Sequence, residues 1–449
     1  MRSSRSGGSS RPLRSSSGGH RVDPPSGAER LLTGLGADGH TVTLEEHLGR
    51  WGDLPVREGE SFLAELDRSG LRGHGGAWFP VGTKWRSVGR SMLRSPVVVA
   101  NGTEGEPASG KDRLLLHQLP HLILDGATIA ARTIGANQIV VHVHRDAVSS
   151  VERAIVARRA RGLDPVEMEI VVAPDRYLAG QESAAVSTIV GRNPAVPTFT
   201  GIRTVRDQGV GGRPTLVQNV ETLAHVALIA RFGGDWFASV GTADSSGTAL
   251  FTVTGRWPEP RIVEAPLGSS LGDLLGLGAG QFGTVQAVLL GGYGGGWLTP
   301  NEALTMPVTE EAARQRGSSL GPGIVALLPH GVCPLSEVSR VVTYMEGQGA
   351  GQCGPCVNGL ADLALSLKQL AYRPASLRGG VDSIPPLCDL VERRGACGHP
   401  DGVARFVRSS LRVFADHATL HARRGSCPQT APFLPVPASS PRPRSVKFR

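Results

Sequence analysis

The sequence predicts an α/β protein with a mainly parallel sheet, followed by a small β-grasp-like domain and a C-terminal helical bundle. Three observations predict this order. Apolar strand patterns alternate with amphipathic helix patterns through the first half of the 449-residue chain. Short strand patterns around one short helix come next, and the last block carries helix patterns alone. The predicted domains lie at 29–240, 245–322 and 330–422, between tails at 1–28 and 428–449.

The first domain begins with two short helices. TVTLEEHLGRWGDL places an N-cap at Thr43 with Glu46 three residues later, and ESFLAELDRSG ends at Gly70. PVVVANG (96–102), QIVVHVH (138–144) and EMEIVVAPD then predict strands, separated by the helix patterns HLILDGATIAARTIG and AVSSVERAIVARRARG. Because strands joined through helices run in the same direction, this alternation predicts a mainly parallel sheet.

The pattern changes at TALFTVTGRW (248–257). The strand patterns TALFTVTG, RIVEAPLG and TVQAVLLGG surround the short helix pattern SLGDLLGLG, in the order two strands, helix, further strands. Helix patterns resume at LSEVSRVVTYMEG and continue to about residue 420.

The charge of the chain lies in its tails. The formal net charge is +8, but residues 1–22 and 423–449 carry eleven Lys and Arg and no acid, which leaves a mildly acidic body of −3. A basic groove for nucleic acid is therefore not expected, and the Ser, Gly, Pro and Arg bias of the tails predicts disorder. The Arg- and Ser-rich start also has the composition of an organellar transit peptide, an alternative that its lack of an amphipathic pattern does not favour.

Six cysteines, all after residue 330, are too few for a disulfide scaffold. Their clustering indicates metal or redox chemistry in a reducing compartment, so we expect a cytoplasmic protein. No apolar run approaches the roughly 20 residues of a membrane helix, so direct membrane insertion is not expected.

Two polar, Gly-rich segments follow early elements of the α/β domain. SGLRGHGGAWFPVGTKWRSV (69–88) has the glycines with which backbone N–H groups can approach a phosphate, and Lys84 and Arg86 supply cations. It lacks the G-K-[ST] of a Walker loop, and taken alone the segment favours a Gly-rich surface turn. ANGTEGEPASGKDR (100–113) follows a predicted strand at its carboxyl end, where open α/β sheets bind ligands. The segments YLAGQE and VQNVETL are further polar insertions.

The segment EGQGAGQCGPCVNGL (346–360) carries the C-x-x-C of Cys353 and Cys356. Its residues alone leave three interpretations open: a redox dithiol, half of a zinc site, or an iron–sulfur site with a ligand missing. A thioredoxin-like dithiol requires a preceding strand, which is not predicted. Zinc bound with Cys397 and His399 would be a legitimate Cys₃His site, but C-x-H is a poor ligand spacing.

Taken together and in order, these motifs resemble the FMN-bearing, NADH-oxidising subunit of respiratory complex I and related subunits of NAD-linked hydrogenases and formate dehydrogenases. The resemblance is carried by GLRGHGGAWFPVGTKW, NGTEGEPASGKDR, YLAGQESA, GGRPTLVQNVETLA, GGYGGG and GQCGPC, and it covers about residues 45–415. It implies an FMN-binding α/β domain, a β-grasp (SLBB-like) domain and a helical bundle with one [4Fe–4S] cluster.

The resemblance also implies which residues bind the cofactors. The residues implied at the FMN phosphate are Gly73, Gly75, Gly76 and Lys84. Those implied along the ribityl chain and ring are Asn101, Glu104, Tyr177, Glu182 and Asn219. Those implied on the nicotinamide-nucleotide side are Phe79 and Glu106. The implied cluster ligands are Cys353, Cys356 and Cys397.

The chain departs from the family pattern at several of these motifs. The departures near the nucleotides are His74 for Arg, Trp78 for Gly, Thr103 for Asp, Gln181 for Glu and Val196 for Lys. An indole in place of a hydrogen at Trp78 is expected to narrow or refill the cofactor channel.

The cluster motif has Ala350 where the family has its first cysteine. Three outcomes are open: a cube with another ligand on the fourth iron, a [3Fe–4S] cluster, or no cluster. Cys388 is expected to be a buried apolar cysteine. Cys333 and Cys427 have no motif partner, and we expect a buried thiol and a tail thiol.

The function implied by the resemblance is that of an NADH dehydrogenase-type (diaphorase-like) oxidoreductase. A nicotinamide nucleotide would exchange a hydride with FMN, and electrons would pass singly through the cluster to a ferredoxin-like protein or another redox subunit. The cofactors would carry the chemistry, so no side chain is expected to act as a general acid or base. The location would be cytoplasmic, peripheral to a membrane complex. The alternative is a cofactor-poor assembly subunit that kept the fold, which Trp78, Thr103, Val196 and Ala350 motivate.

Overall fold

The computed structural model describes residues 23–27, 29–36, 38–89, 94–192, 204–428 and 431–437. Val196 lies outside these ranges, so its substitution has no structural account. The elements of the first part are α1 (Leu44–Trp51), α2 (Gly59–Ser69), α3 (Val81–Gly89), β1 (Val97–Gly102), α4 (Lys111–Gln118), α5 (Pro120–Ile134), β2 (Gln138–Val143), α6 (Val148–Ala160), β3 (Glu167–Val172), α7 (Glu182–Ile189), β4 (Thr215–Asn219), α8 (Val220–Phe232) and α9 (Gly234–Ala238).

The predicted N-terminus of α1 and the predicted C-terminus of α2 are both confirmed. Thr43 and Glu46 form a capping box at the start of α1. Gly70 ends α2 in the left-handed conformation, with φ of 66°.

The first sheet has the strand order β3-β2-β1-β4, and all its pairs are parallel. Strand β2 pairs with one edge of β1, and β4, which comes later in the chain, pairs with the opposite edge of β1. This reversal is a topological switch point, the place where open α/β sheets bind ligands beyond the carboxyl ends of their strands. Asn101 of β1 is in register with Asn219 of β4 at that edge.

Helices α5 and α8 pack closely against one another on this sheet, and their contact requires a glycine. A Cβ atom on Gly126 of α5 would lie 1.9 Å from the carbonyl oxygen of Leu223 in α8. The apolar side chains of both helices are buried, so α8 is fixed in place and its first turn is held at the carboxyl edge of the sheet.

The second part contains a five-stranded sheet. Its elements are β5 (Gly241–Thr242), β6 (Ser245–Ser246), β7 (Thr248–Thr254), β8 (Arg261–Pro266), α10 (Leu271–Leu275), α11 (Ala279–Phe282), β9 (Val285–Leu290), β10 (Gly296–Leu298), α12 (Pro300–Thr305), α13 (Glu310–Gln315) and β11 (Ile324–Pro329). The strand order is β10-β9-β11-β7-β8, with β11 parallel to β7 at the centre and the other pairs antiparallel. This order, with α10 between the second and third strands, is that of a β-grasp. The predicted helix SLGDLLGLG is shorter than its pattern because Gly276 turns left-handed after α10.

The third part is helical, as predicted. Its helices are α14 (Pro334–Gln348), α15 (Leu360–Tyr372), α16 (Ile384–Val391), α17 (His399–Val413) and α18 (Ala415–Arg424). A π-helical turn, Pro355–Gly359, leads into α15. None of the helices in the described ranges is long and apolar enough to cross a membrane.

The C-terminal tail departs from the prediction of disorder between residues 431 and 437. Leu434 is only 2 % exposed, its N–H donates to Glu337 at 2.9 Å, and Arg340 donates to its carbonyl at 2.7 Å. The Pro, Ser and Arg bias hid this contact, because Leu434 is an isolated apolar residue whose packing partners lie about a hundred residues earlier. The α/β class, the parallel sheet and the helical C-terminal part are confirmed, whereas the domain boundaries stay a prediction.

Candidate functional site

A cavity of about 370 Å³ opens at the carboxyl edge of the first sheet, between all three parts of the chain. Its size is within the ordinary range of small-molecule sites. The predicted site residues in its wall are Gly75, Gly76, Asn101, Glu104, Glu106, Tyr177, Asn219 and Cys397. The switch point of the sheet and the C-terminal helices therefore contribute to one site.

The Gly-rich loop forms one side of the cavity. The Gly73 N–H donates to the Phe79 carbonyl at 2.9 Å, which closes the base of the loop. A Cβ on Gly75 would lie 3.2 Å from that of Asn219, and Gly76 has a φ of 106°, which favours glycine. The tip of the loop therefore presents backbone, without side chains, to the cavity.

Trp78 does not refill the cofactor channel, contrary to the expectation. The residue keeps a left-handed φ of 52°, the conformation that a glycine would adopt there. Its side chain is buried in the hydrophobic cluster of the second sheet, and its indole N–H donates to the Gly321 carbonyl at 2.9 Å. The indole thus fastens the Gly-rich loop to the β-grasp part.

The two asparagines at the strand ends hold the backbone around the cavity. The Asn219 side chain caps α8 by accepting from the Glu221 N–H at 3.0 Å, and its amide donates to Asp112 at 2.7 Å. The amide of Asn101 donates to the Gly180 carbonyl at 2.9 Å. Both positions follow from the parallel register that places these two residues side by side.

Glu104 is also part of the framework. Its carboxylate accepts from the backbone N–H groups of Asp112 and Arg113, at 3.2 and 3.1 Å, in the first turn of α4. A carboxylate at a helix N-terminus is stabilised by the unpaired amides there. Glu104 therefore fixes α4 at the cavity.

A buried charge network lies beneath the cavity. Lys111 is 1 % exposed, and its ammonium group lies 2.8 Å from Asp112 and 2.7 Å from Glu221. His74 contacts the other oxygen of Glu221 at 2.8 Å, so the histidine that replaces the family arginine faces a carboxylate. Burial raises the pKa of Asp112 to about 6. Burial would also raise the pKa of Glu221, but Lys111 and His74 lower it below its usual range.

Glu106 is buried at the other side of the cavity. Burial raises the pKa of Glu106 to about 7. Two hydrogen bonds act in the opposite direction and lower it, one from the Tyr293 N–H at 2.9 Å and one from the Tyr177 hydroxyl. A Cβ on Gly292 would lie 2.8 Å from the carboxyl carbon of Glu106, so the GGYGGG segment needs its glycine to pack here. Burial and the adjacent Glu106 carboxyl raise the pKa of Tyr177 well above its usual range.

Four of the residues predicted to bind FMN or the nicotinamide nucleotide are not brought into the wall of this cavity. Gly73 lies at the base of the loop, and Phe79 is 48 % exposed. The Lys84 ammonium donates to the Val217 carbonyl at 2.6 Å and lies 3.3 Å from Glu182, which lines a neighbouring cavity instead. The sequence did not indicate this because the direction of the Lys84 side chain depends on how α3 packs on β4.

The three predicted cluster cysteines share one region. Cys356 lies in the π-helical turn, and burial and the neighbouring Cys353 and Cys397 raise the pKa of its thiol to about 12. A Cβ on Gly349 would lie 3.4 Å from the Cys356 sulfur, so the chain that leads into Ala350 passes beside this thiol. Cys388 is buried in α16 with Arg408 as its nearest charged neighbour, in agreement with a packing role.

The arrangement does not favour one ion bound by these thiols. Among the described residues, the groups of three or more ligand atoms within 4.8 Å of one another are Cys333–His417–His421–Cys427 and His74–Glu221–His225. The three cluster thiols are not such a group, and His399 instead contacts the Met345 carbonyl at 2.9 Å. Cys353 and Cys356 are in hydrogen-bond contact, but the three sulfurs do not converge on one point. A multi-iron cluster does not require them to converge, because each thiolate binds a different iron.

Cys333 is buried, as expected, but the first of those groups shows that neither Cys333 nor Cys427 is isolated. The two thiols lie together, with two histidines of α18 between them. No spacing motif indicates this contact, because more than eighty residues of sequence separate Cys333 from the nearest of the other three, His417.

The cavity wall also contains Asp112, His399 and Arg405, which were not predicted as cofactor-binding residues. Asp112 lies within the quoted segment NGTEGEPASGKDR, which was a usable signal. His399 is buried, and its Nδ1 has no hydrogen-bond partner among the residues that the structure describes. Arg405 donates to the Gly294 carbonyl at 2.7 Å, which joins α17 to the GGYGGG segment.

The wall of the cavity fits FMN. Bare backbone at Gly75 and Gly76 suits a phosphate, and the asparagine amides suit hydroxyl groups. The orphaned Nδ1 of His399 is a further polar atom in the wall. Cys397 lies in this wall and also neighbours Cys353 and Cys356, so the cavity adjoins the three thiols.

Family models match two regions of the chain. The Nuo51 FMN-binding domain matches residues 66–228, and the NADH-ubiquinone oxidoreductase-F iron–sulfur binding region matches residues 336–421. The cavity wall draws on both regions.

Curated relatives match along most of their length. The chain is 31 % identical to the F subunit of NADH-quinone oxidoreductase from Mycobacterium tuberculosis (strain ATCC 25618 / H37Rv), over 82 % of this chain and 86 % of the relative. It is 28 % identical to the F 2 subunit of NADH-quinone oxidoreductase from Rhizobium meliloti (strain 1021), over 87 % of this chain and 96 % of the relative.

A solved structure is similar as well. The crystal structure of an NAD⁺-reducing [NiFe]-hydrogenase in the air-oxidized state matches with a TM-score of 0.72 and 29 % identity, over 84 % of this chain. The chain spans 64 % of the length of that hydrogenase chain.

Proposed function

The chain belongs to the family of the NADH-quinone oxidoreductase F subunit, whose members are NADH-oxidising electron-transfer subunits with FMN and a [4Fe–4S] cluster, and on that premise we propose how its own residues serve this reaction. The proposed route runs between NADH, FMN, the iron–sulfur site and a partner. The observation that carries it is the single cavity that joins the carboxyl edge of the parallel sheet to Cys397.

When bound, FMN accepts a hydride from NADH and releases electrons singly, which is chemistry that the protein itself does not supply. Gly75 and Gly76 would bind the FMN phosphate through their backbone amides. Asn101 and Asn219 would hold the ribityl chain, and Tyr177 would border the ring. Glu104 would act indirectly, because its carboxylate holds the N-terminus of α4, the helix that positions Asp112.

Glu106 and Tyr177 would set the polarity on the nicotinamide side. With a pKa raised to about 7, Glu106 holds a proton in slightly acidic solution and loses it in slightly basic solution. A neutral carboxyl there avoids a buried negative charge beside an electron-rich site. We therefore assign Glu106 to cofactor binding and electrostatics, without a proton-transfer role in the reaction.

At the iron–sulfur site, Cys353, Cys356 and Cys397 would bind three irons. The position of the family's first cysteine is occupied by Ala350, which has no donor atom in its side chain. We propose a cluster whose fourth iron has a ligand other than a protein thiolate, or which lacks that iron as [3Fe–4S]. We assign Cys388 no ligand role, because it is not among the neighbours that raise the pKa of the Cys356 and Cys397 thiols.

The partner is proposed as another redox subunit or a ferredoxin-like protein. The curated relatives are named as subunits, so assembly with redox partners follows the family. The activity of the hydrogenase is not carried over, because the match leaves over a third of that chain without a counterpart here.

The test of the FMN site is a glycine substitution with a matched control. Gly75→Leu would place a side chain against Asn219 and should weaken FMN binding by at least about tenfold, or 1.4 kcal/mol. Gly49→Leu is the control, because Gly49 is exposed on α1 and a Cβ atom added there would have nothing within 4 Å. FMN affinity that is equal in the two variants would place the flavin elsewhere.

A further inference from the structure

A compact group of four metal-ligating side chains lies at the end of the helical part that is formed by the start of α14 and by α18. We call it the Cys₂His₂ group; its members are Cys333, His417, His421 and Cys427. Cys333 directly precedes α14, the two histidines are one turn apart on α18, and Cys427 follows α18. Cys333 and His421 are buried, while His417 and Cys427 are partly exposed.

The distances in this group are those of a tetrahedral site. The Cys333 sulfur lies 3.7 Å from His417 Nε2 and 3.6 Å from His421 Nε2. The Cys427 sulfur lies 3.3 and 3.2 Å from the same two nitrogens. Zinc bonds of about 2.3 Å to sulfur and about 2.0 Å to nitrogen, at tetrahedral angles, separate S and N ligands by roughly 3.5 Å. All four measured separations lie near that value.

The hydrogen bonds of His421 leave the required nitrogen free of a proton. Its Nδ1 lies 3.2 Å from the Leu370 carbonyl, which can only accept. With the proton on Nδ1, Nε2 carries the lone pair; it accepts from the Cys427 N–H at 3.2 Å here and would give up this contact when it binds a metal. A metal-binding histidine is ordinarily oriented in this way, with its other nitrogen donating to a carbonyl.

We propose that the Cys₂His₂ group binds a single zinc ion. Two thiolates and two imidazoles in a tetrahedron are a structural zinc donor set, and the His-x-x-x-His spacing on one helix suits it. A [2Fe–2S] cluster with the same residue types would place both thiolates on one iron and both imidazoles on the other. Here each sulfur is instead in contact range of both nitrogens.

This site is separate from the iron–sulfur site. Cys333 and Cys427 lie outside the matched iron–sulfur region, 336–421, and none of the four ligands is in the family's cysteine motif. The fifteen residues of α14 separate Cys333 from the Gly349–Ala350 segment, which is about 22 Å along a helix.

The zinc ion would fasten the C-terminal segment to the bundle. It would join the start of α14 to the end of α18 and to the chain that runs on to Leu434, whose backbone is bound by Glu337 and Arg340. The role is structural, because all four positions are taken by protein ligands and none is left for a substrate.

The experiment is a metal analysis of the full-length protein, purified anaerobically without added zinc or chelator. We expect about one zinc per chain, counted separately from iron by mass spectrometry. His417→Gln and Cys427→Ser, both at partly exposed positions, should each lower the zinc content at least about fivefold. His117→Gln is the matched control, because His117 is equally a partly exposed histidine on a helix, and it should retain zinc.

Two further measurements test the zinc site without depending on the folding of the His417 and Cys427 variants. Wild-type protein that has been stripped of zinc and given Co²⁺ should develop the visible bands of a tetrahedral thiolate site. Cys353→Ser should lose iron but keep zinc, since the two sites are separate. Four results would each overturn the proposal. Two concern the metal at this site: the absence of both zinc and the cobalt bands, or zinc that remains in the doubly substituted His417→Gln/Cys427→Ser protein. The other two are loss of zinc in Cys353→Ser and a Cys333–Cys427 disulfide in the isolated protein.

Discussion

The pKa of Glu106 gives a quantitative prediction for stability. Its carboxyl titrates at about 7 in the folded protein, against an ordinary value of 4.5, because burial disfavours the charged form. The folded state therefore binds this proton more tightly than the unfolded chain does. Stability from this group is present below pH 4.5 and is lost as the pH rises to about 7.

The perturbation is Glu106→Gln, which keeps the shape of the side chain and removes its titration. The difference between a pKa of 4.5 and one of about 7 corresponds to about 3 kcal/mol in full, of which about 2.5 kcal/mol falls between pH 5 and pH 8. The free energy of unfolding of the wild type, minus that of the variant, should decrease by this amount over that interval. Urea unfolding followed by tryptophan fluorescence at several pH values measures the difference.

The control is Glu152→Gln, which removes one negative charge at an exposed position on α6. It should shift stability by less than about 0.5 kcal/mol at each pH. If the curves of wild type and Glu106→Gln run parallel from pH 5 to pH 8, Glu106 does not titrate in this range, and the proposed electrostatic role is refuted.

Three other predictions test separate parts of the account. Ala350→Cys supplies a fourth thiol beside Cys356 and should raise the iron content and the oxygen stability of the cluster; unchanged values would mean that a substitute ligand is already in place. Trp78→Gly should cost about 3–5 kcal/mol of stability while FMN affinity stays within about twofold, because the indole is buried in the core; tighter FMN binding would instead mean that Trp78 obstructs the channel. Leu434→Ala should lower the free energy of unfolding by about 2–5 kcal/mol, and no change would restore the prediction of a disordered tail.

Three strands of the first sheet, β1, β2 and β3, were predicted from the sequence because they are apolar runs between helix patterns. The fourth strand, β4, was not predicted, because the polar residues of VQNVETL interrupt the apolar pattern there. Asn101 and Asn219 lie side by side because β1 pairs with β4, and the sequence did not predict that pairing. The carboxyl end of β1 was nevertheless the expected place for a site. Gly75 and Gly76, which the family resemblance pointed to, lie in the cavity wall, and their role at a phosphate stays a prediction.

Other features depend on packing across long stretches of chain. The direction of the Trp78 side chain follows from a positive φ at a non-glycine residue, which no pattern reveals. The Lys84 ammonium is drawn to the Val217 carbonyl and Glu182 by the way α3 lies on the sheet. Cys333 and Cys427 come together only when α18 packs beside α14.

The most direct test of the central claim is the visible absorption spectrum of anaerobically purified protein, before and after NADH is added. The account predicts flavin bands over a broad iron–sulfur shoulder, and both should bleach with NADH. Flavin and cluster bands that do not respond to NADH would contradict the assignment of the electron donor. A featureless spectrum that reconstitution with FMN and iron does not change would contradict the account as a whole and favour an assembly subunit that kept only the fold.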